Sequence, residues 1–164
     1  MSDQENTKEH IEIVQNFYEA FQKRDAETMV ELYHDEVIFK DPAFGTLKGE
    51  YAKNMWRMLC QNAKDLQINT HNFLASENKV SCTWNAQYTF QQTGNVVKNT
   101  INAIFEFKDD KIYRHMDDFN LHEWAGQALG FKGWLIGWSS YFQKKLQEQT
   151  NRLLLKFEKN EGSR

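Results

Sequence analysis

The chain has 164 residues, the size of one domain with its own hydrophobic core. Its 40% hydrophobic and 26% charged content argue for a soluble globular fold and exclude a disordered chain. The net charge of −3 gives no general attraction to nucleic acid or anionic membranes, and the two cysteines, Cys60 and Cys82, fit neither a disulfide framework nor a zinc site.

The first residues, MSDQENTKEH, are polar and lack the apolar core of a signal peptide, and the longest apolar stretch, Trp134–Ile136, is too short for a membrane span. A cytoplasmic protein in a reducing compartment is expected. From about Thr7 to Lys23, Ile11, Val14, Phe17, Tyr18 and Phe21 recur at helical spacing. Asp25 can cap a second helix carrying Met29, Val30, Leu32 and Tyr33, which stops near His34 and Asp35. Val37, Phe39 and Asp41 then alternate with Ile38 and Lys40 as a short strand that Pro42 ends, and AFGTLKG reads as a loop. Gly49 opens a third helix with Ala52, Met55, Trp56, Leu59, Cys60 and Ala63 on one side.

From Asp65 the period becomes two. Strands are expected near Leu66–Ala75, Lys79–Gln91, Val96–Phe107 and Lys111–Leu121, with turns at Glu77-Asn78, Thr93-Gly94-Asn95 and Asp109-Asp110. Short connections predict an antiparallel meander. The result is an α+β layout, a curved sheet with helices on one face around a cavity suited to small apolar molecules. In the last strand Tyr113, His115, Asp117 and Phe119 fall on one face, and Ile112, Arg114, Met116 and Asp118 on the other. An imidazole and a carboxylate between aromatics imply polar groups that are partnered or used. In the tail from Phe131, Trp138, Phe142, Leu146, Leu153 and Phe157 fall on one helical side. A membrane-surface or partner helix is one reading of this basic tail; packing of the stripe on the domain or across a dimer is the favoured one.

The order of elements, with LYHDEVIFKDPAFGTLKG (32–49), MWRMLC (55–60) and KIYRHMDDFNLHEWAGQALG (111–130), resembles the SnoaL-like branch of the nuclear transport factor 2-like superfamily up to about Gly130. The resemblance implies a cone-shaped domain over residues 1–130, with 131–164 a C-terminal helical extension of it. This fold serves isomerases, polyketide cyclases, epoxide hydrolases, dehydratases and non-catalytic binding proteins. Asp41 matches the proton-shuttling carboxylate of ketosteroid isomerases, but Phe17 and Ala103 fall where those enzymes carry their oxyanion donors, with Tyr18 about 100° around the helix. Asp117, two residues after His115, matches the acid/base aspartate of SnoaL-type cyclases. The Arg-x-Asp pair of limonene epoxide hydrolases has no counterpart on a strand.

The candidate catalytic residues are therefore Asp117, its partner His115, and Asp41 as a second acid/base or anchor. Phe17, Tyr18, Trp56, Tyr88, Phe105 and Phe119 are candidate ligand walls, and Arg57 would add positive charge if it turned inward. Asp41 equally fits a turn cap before Pro42, and the His115–Asp117 pair equally fits a satisfied buried pair. No metal site and no cofactor are expected. The expected ligand is a small apolar molecule, bound by a homodimer whose outer sheet face, with Ile104, Ile112 and Met116, is covered by a second copy. Acid/base catalysis on such a ligand and a non-catalytic carrier or interaction module are the two functional readings.

Overall fold

The computed structural model describes residues 3–164. Helix α1 (Asp3–Gln22) is followed by α2 (Ala26–Glu31), strand β1 (Tyr33–Asp41), β2 (Gly45–Lys48) and α3 (Glu50–Asn62). Four long strands follow: β3 (Gln67–Ser76), β4 (Lys79–Phe90), β5 (Asn95–Lys108) and β6 (Lys111–Asp118). Helices α4 (Leu121–Leu129), α5 (Phe131–Ile136) and α6 (Ser140–Gly162) complete the chain.

The six strands form one sheet in the order β2-β1-β6-β5-β4-β3. The meander from β3 to β6 is antiparallel, as its short turns require. Asp109 and Asp110 both take positive φ (53° and 57°), the backbone of a two-residue hairpin turn whose twist matches its strands. β1 instead pairs with β6 in parallel, so the sheet is not wholly antiparallel. Asp25 caps α2 by accepting from the Thr28 backbone N–H.

Several expectations need correction. Tyr33 starts β1 instead of ending the second helix, because the Ile112 N–H donates to the Leu32 carbonyl and draws the chain into the sheet. The AFGTLKG stretch is not all loop: Gly45–Lys48 pairs back on β1. A register shift beside Glu106 and Phe107 breaks the alternation of β6. Ile112 is therefore fully buried with His115 and Asp117, while Tyr113 turns outward beneath Lys108 and Arg114. Ile112 is thus removed from the expected dimer face. β6 ends at Asp118, so Phe119 is off the strand, and Asn120 caps the unpredicted helix α4 by accepting from the Glu123 N–H.

Helices α1 and α3 cover the inner face of the sheet. Their large apolar residues, Val14, Phe17, Phe21, Met55 and Trp56, pack with Val37, Phe39, Phe105 and Ile112 into the main core. A second core, built from Trp124, Ala125 and Ala128 of α4, Val97 and Phe142, sits at the other end of the meander. The tail stripe is also corrected: Leu154, not Leu153, is buried, and Trp138 is exposed. α6 packs on α3 and reaches the β1–β2 turn, where Gln143 and Gln147 donate to the Pro42 carbonyl, Thr150 to Ala43 and Asn151 to Phe44.

Candidate functional site

The inner face of the sheet carries a chain of polar groups through an aromatic interior. The Trp56 indole N–H donates to the Tyr33 hydroxyl at 2.7 Å, and that hydroxyl lies 2.7 Å from Nδ1 of His115. Nε2 of His115 lies 2.9 Å from Oδ1 of Asp117, which also accepts a long bond of 3.4 Å from the Trp84 indole. An indole N–H can only donate, so Tyr33 accepts there and has its own proton free for Nδ1. With the imidazole neutral, His115 then carries its proton on Nε2 and donates to the Asp117 carboxylate; the network assigns the tautomer.

His115 has no exposed surface. Trp56 stacks parallel to it with ring centres 5.7 Å apart, and Phe105, Phe17, Phe39 and Tyr33 enclose the rest of the ring. It acts on its surroundings only through its two hydrogen bonds. Burial drives the Tyr33 phenol far above its usual titration range, so its proton stays in the network.

Asp41 is half-buried at the end of β1. Its Oδ1 accepts from the Ala43 N–H at 2.9 Å and the Phe44 N–H at 2.6 Å, the arrangement of a side chain that closes a turn. Even so, loss of water pushes its carboxyl up to about 7, and the charge of Asp117 adds to this against the two N–H donors. The Tyr88 hydroxyl senses the charge of Asp41 and accepts from the Trp124 indole at 2.8 Å. Asp41 thus lies in the field of Asp117 and in turn acts on Tyr88.

Tyr18 fills a gap that the sequence left open. Its hydroxyl is buried and meets no nitrogen or oxygen partner; the weakly hydrogen-bonding Cys82 thiol is its close polar neighbour. Burial and then the charge of Asp117 hold its phenol well above the usual range. A protonated hydroxyl without an acceptor beside a carboxylate can donate to a ligand oxygen.

The SnoaL-like domain model matches residues 14–115, more than half of the chain. The chain belongs to the SnoaL-like domain family. A comparison with curated protein sequences gives no significant match. Among solved structures, this SnoaL-like domain is similar to an LEH-like epoxide hydrolase from M. tuberculosis, at 21% identity over 80% of this chain and 93% of the other, with a TM-score of 0.63. It is also similar to TerC co-crystallised with polyporic acid, at 18% identity over 74% and 98% of the two chains and a TM-score of 0.64. A protein from Jannaschia sp. CCS1 assigned as a SnoaL-like polyketide cyclase aligns with a TM-score of 0.67 at 11% identity, over 74% and 92% of the chains. At these identities the likeness concerns the fold, an α+β cone with an unclosed curved sheet.

Of the residues expected from the sequence, the SnoaL-like domain brings Phe17, Tyr18, Trp56 and Phe105 around the His115–Asp117 pair. Phe119 packs between the two cores, and Tyr88 sits at the Asp41 end. Ala103 lies opposite Asp117 across β5 and β6, so no carboxyl stands beside it there. Arg57 turns outward to Glu27 and Glu50 and adds no positive charge inside. Sequence reasoning missed Tyr33, Trp84 and Trp124 as polar partners. The alternation Tyr33, Val37, Phe39 carried a signal for Tyr33, but the helix-favouring residues before it outweighed that signal. Two concavities of about 430 and 410 Å³ lie on the outside, one against α4 and α5 and one beside α2; neither is lined by Asp41, His115 or Asp117.

Proposed function

We propose that this SnoaL-like domain binds a small apolar carbonyl compound on the inner face of its sheet and moves protons on it without a cofactor. One observation carries this reading: the His115–Asp117 pair, 2.9 Å apart, is buried in an otherwise aromatic interior, with Asp41, its carboxyl pushed up to about 7, in the field of Asp117. Asp117, held by His115 and Trp84 through Oδ1, offers Oδ2 as the base. It takes a proton from the carbon next to the carbonyl. The electron pair moves onto the carbonyl oxygen, which receives the Asp41 proton and a hydrogen bond from Tyr18. Return of the Asp117 proton to another carbon, while Asp41 takes back the enol proton, completes an isomerisation; attack of the enol carbon on a second carbonyl, whose oxygen takes the Asp117 proton while Asp41 regains its own, gives an aldol-type cyclisation. Hydration of a conjugated carbonyl uses the same pair. A neutral carboxyl and a buried hydroxyl supply the oxyanion stabilisation for which Phe17 and Ala103 offer nothing.

The same proposal includes a homodimer through the outer sheet face. Ile104 and Met116 face each other across β5 and β6 there and are 48% and 40% exposed. A non-catalytic carrier or dimeric interaction module is the second reading. The completeness of the Trp56–Tyr33–His115–Asp117 chain supports it, since a satisfied buried network needs no ligand.

The test is a thermal-shift screen of apolar carbonyl and polycyclic compounds on wild type, Asp117→Asn and Asp41→Asn, followed by mass spectrometry of each hit in deuterated water. The expected result is deuterium uptake next to the carbonyl with wild type, lowered by about 100-fold or more in Asp117→Asn, the usual scale for a general base. Binding that is alike in all three proteins, with no uptake, establishes the carrier instead.

A further inference from the structure

We propose that α5 and its flanks dock the protein onto an anionic membrane surface. This inference is independent of the chemistry inside the cone. Phe131, Trp134, Leu135, Ile136, Trp138 and Tyr141 are 48–74% exposed, within eleven residues of chain. The residues turned inward are glycines. A Cβ on Gly133 would stand 2.1 Å from the Ala125 carbonyl oxygen, and one on Gly137 would stand 2.6 Å from the Ala125 Cβ. α5 therefore presses its backbone onto α4 and keeps its large apolar side chains outside.

Four successive carbonyls of this segment are also satisfied from within. The Trp134 carbonyl accepts from His122, the Leu135 carbonyl from the Trp138 indole, and the Ile136 carbonyl from the backbone and hydroxyl of Ser139. The Gly133 carbonyl accepts from the Gly137 N–H. Entry into an apolar phase requires such self-sufficiency, because lipid tails supply no hydrogen bonds. Tryptophan and tyrosine are the side chains enriched at the boundary between lipid and water.

Charge selects the occupant. Residues 132–164 hold seven basic and three acidic side chains, a net +4, while the rest of the chain holds thirteen basic and twenty acidic, a net −7. The overall charge of −3 hides this polarity. Lys132 lies within α5, and Lys144 and Lys145 stand in the first turns of α6; Lys145 sits 5.7 Å from the Tyr141 ring centre and pairs with Glu148 at 3.5 Å, so Lys132 and Lys144 carry the charge beside the patch. A two-fold contact between copies would set this basic rim against itself, whereas anionic headgroups complement it. No helix among the described residues is long and apolar enough to cross a bilayer, so the contact is peripheral.

The test uses the full chain with vesicles of phosphatidylcholine alone or with about 30% phosphatidylglycerol. Trp134 and Trp138 are exposed and Trp56, Trp84 and Trp124 buried, so a blue shift of tryptophan emission reports insertion of this patch. We expect co-sedimentation and a blue shift with the anionic vesicles, and roughly ten-fold weaker binding to the neutral ones. The doubles Ile136→Ser with Trp138→Ser, and Lys132→Glu with Lys144→Glu, should each weaken binding by about ten-fold or more with unchanged melting. No binding, or binding that neither double weakens, overturns the proposal. So does loss of a dimer in the first double, seen by sedimentation velocity without any vesicle binding, which would make a second copy the occupant.

Discussion

Asp41 combines two roles that pull against each other. Its Oδ1 closes the β1–β2 turn through two backbone N–H groups, which favour the charged form, yet burial and Asp117 favour the neutral one. The carboxyl is raised from 3.8 to about 7 in the fold. Between those values the folded state holds a proton that the unfolded state has released, so stability falls as pH rises and the cost is complete above about 7. Asp41→Asn keeps an acceptor for both N–H groups and removes the titration. Its advantage over wild type should be small near pH 4 and grow to roughly 2–4 kcal/mol above about pH 7, measured by urea unfolding across that range. Tyr33→Phe should cost roughly 2–4 kcal/mol, because it strands the Trp56 indole and Nδ1 of His115 inside the core. Nitrogen chemical shifts of His115 should then report loss of the single tautomer. Tyr18→Phe should cost about 1 kcal/mol or less, since its hydroxyl meets no partner stronger than the Cys82 thiol, but should weaken binding of any carbonyl ligand found.

At the scale of elements, α5 and α6 hold the cone by unlike means. α5 relies on close backbone contact, and Gly133→Ala should cost about 1–3 kcal/mol or more by overpacking against Ala125, read as a lowered melting temperature. α6 relies on side-chain amides that grip the backbone of the turn beside Asp41, so that turn and the helix move as one unit. The apolar periods of α1 and α3 and the alternation of β4 and β5 were legible because each element buries one face. β6 was legible only in part. Nothing in Ile112-Tyr113-Arg114 announces the irregularity that returns Ile112 to the core. Likewise Tyr33 joins a strand only because residues nearly eighty positions later pair with it. α4 had a signal that could have been read, an asparagine at position 120 three residues before Glu123, the pattern of a capped helix start. The site was half visible. His115 and Asp117 stood out as polar residues on an apolar face, whereas Tyr33, Trp84 and Trp124 look like ordinary core aromatics until the fold brings their polar tips to a partner.

At the scale of the whole molecule, the interior is an aromatic layer with a thin polar thread through it. α6 lies over the end of that layer where Asp41 emerges, and the acidic cone and basic tail give the molecule two electrically distinct sides. The sheet's outer face and the α5 patch are separate surfaces, so substitution at Ile104 and substitution at Trp138 should affect different properties. Ile104→Lys should shift sedimentation toward a monomer without changing vesicle binding. Catalysis in the cone requires Asp41 to be a carboxyl poised near neutrality in the field of Asp117. The most direct measurement is a carbon-detected NMR titration of the Asp41 side-chain carboxyl in wild type and in Asp117→Asn. The expected midpoint is near 7 in wild type and lower once the Asp117 charge is removed. A midpoint near the ordinary 3.8 in both proteins would contradict it and leave Asp41 as a turn cap alone.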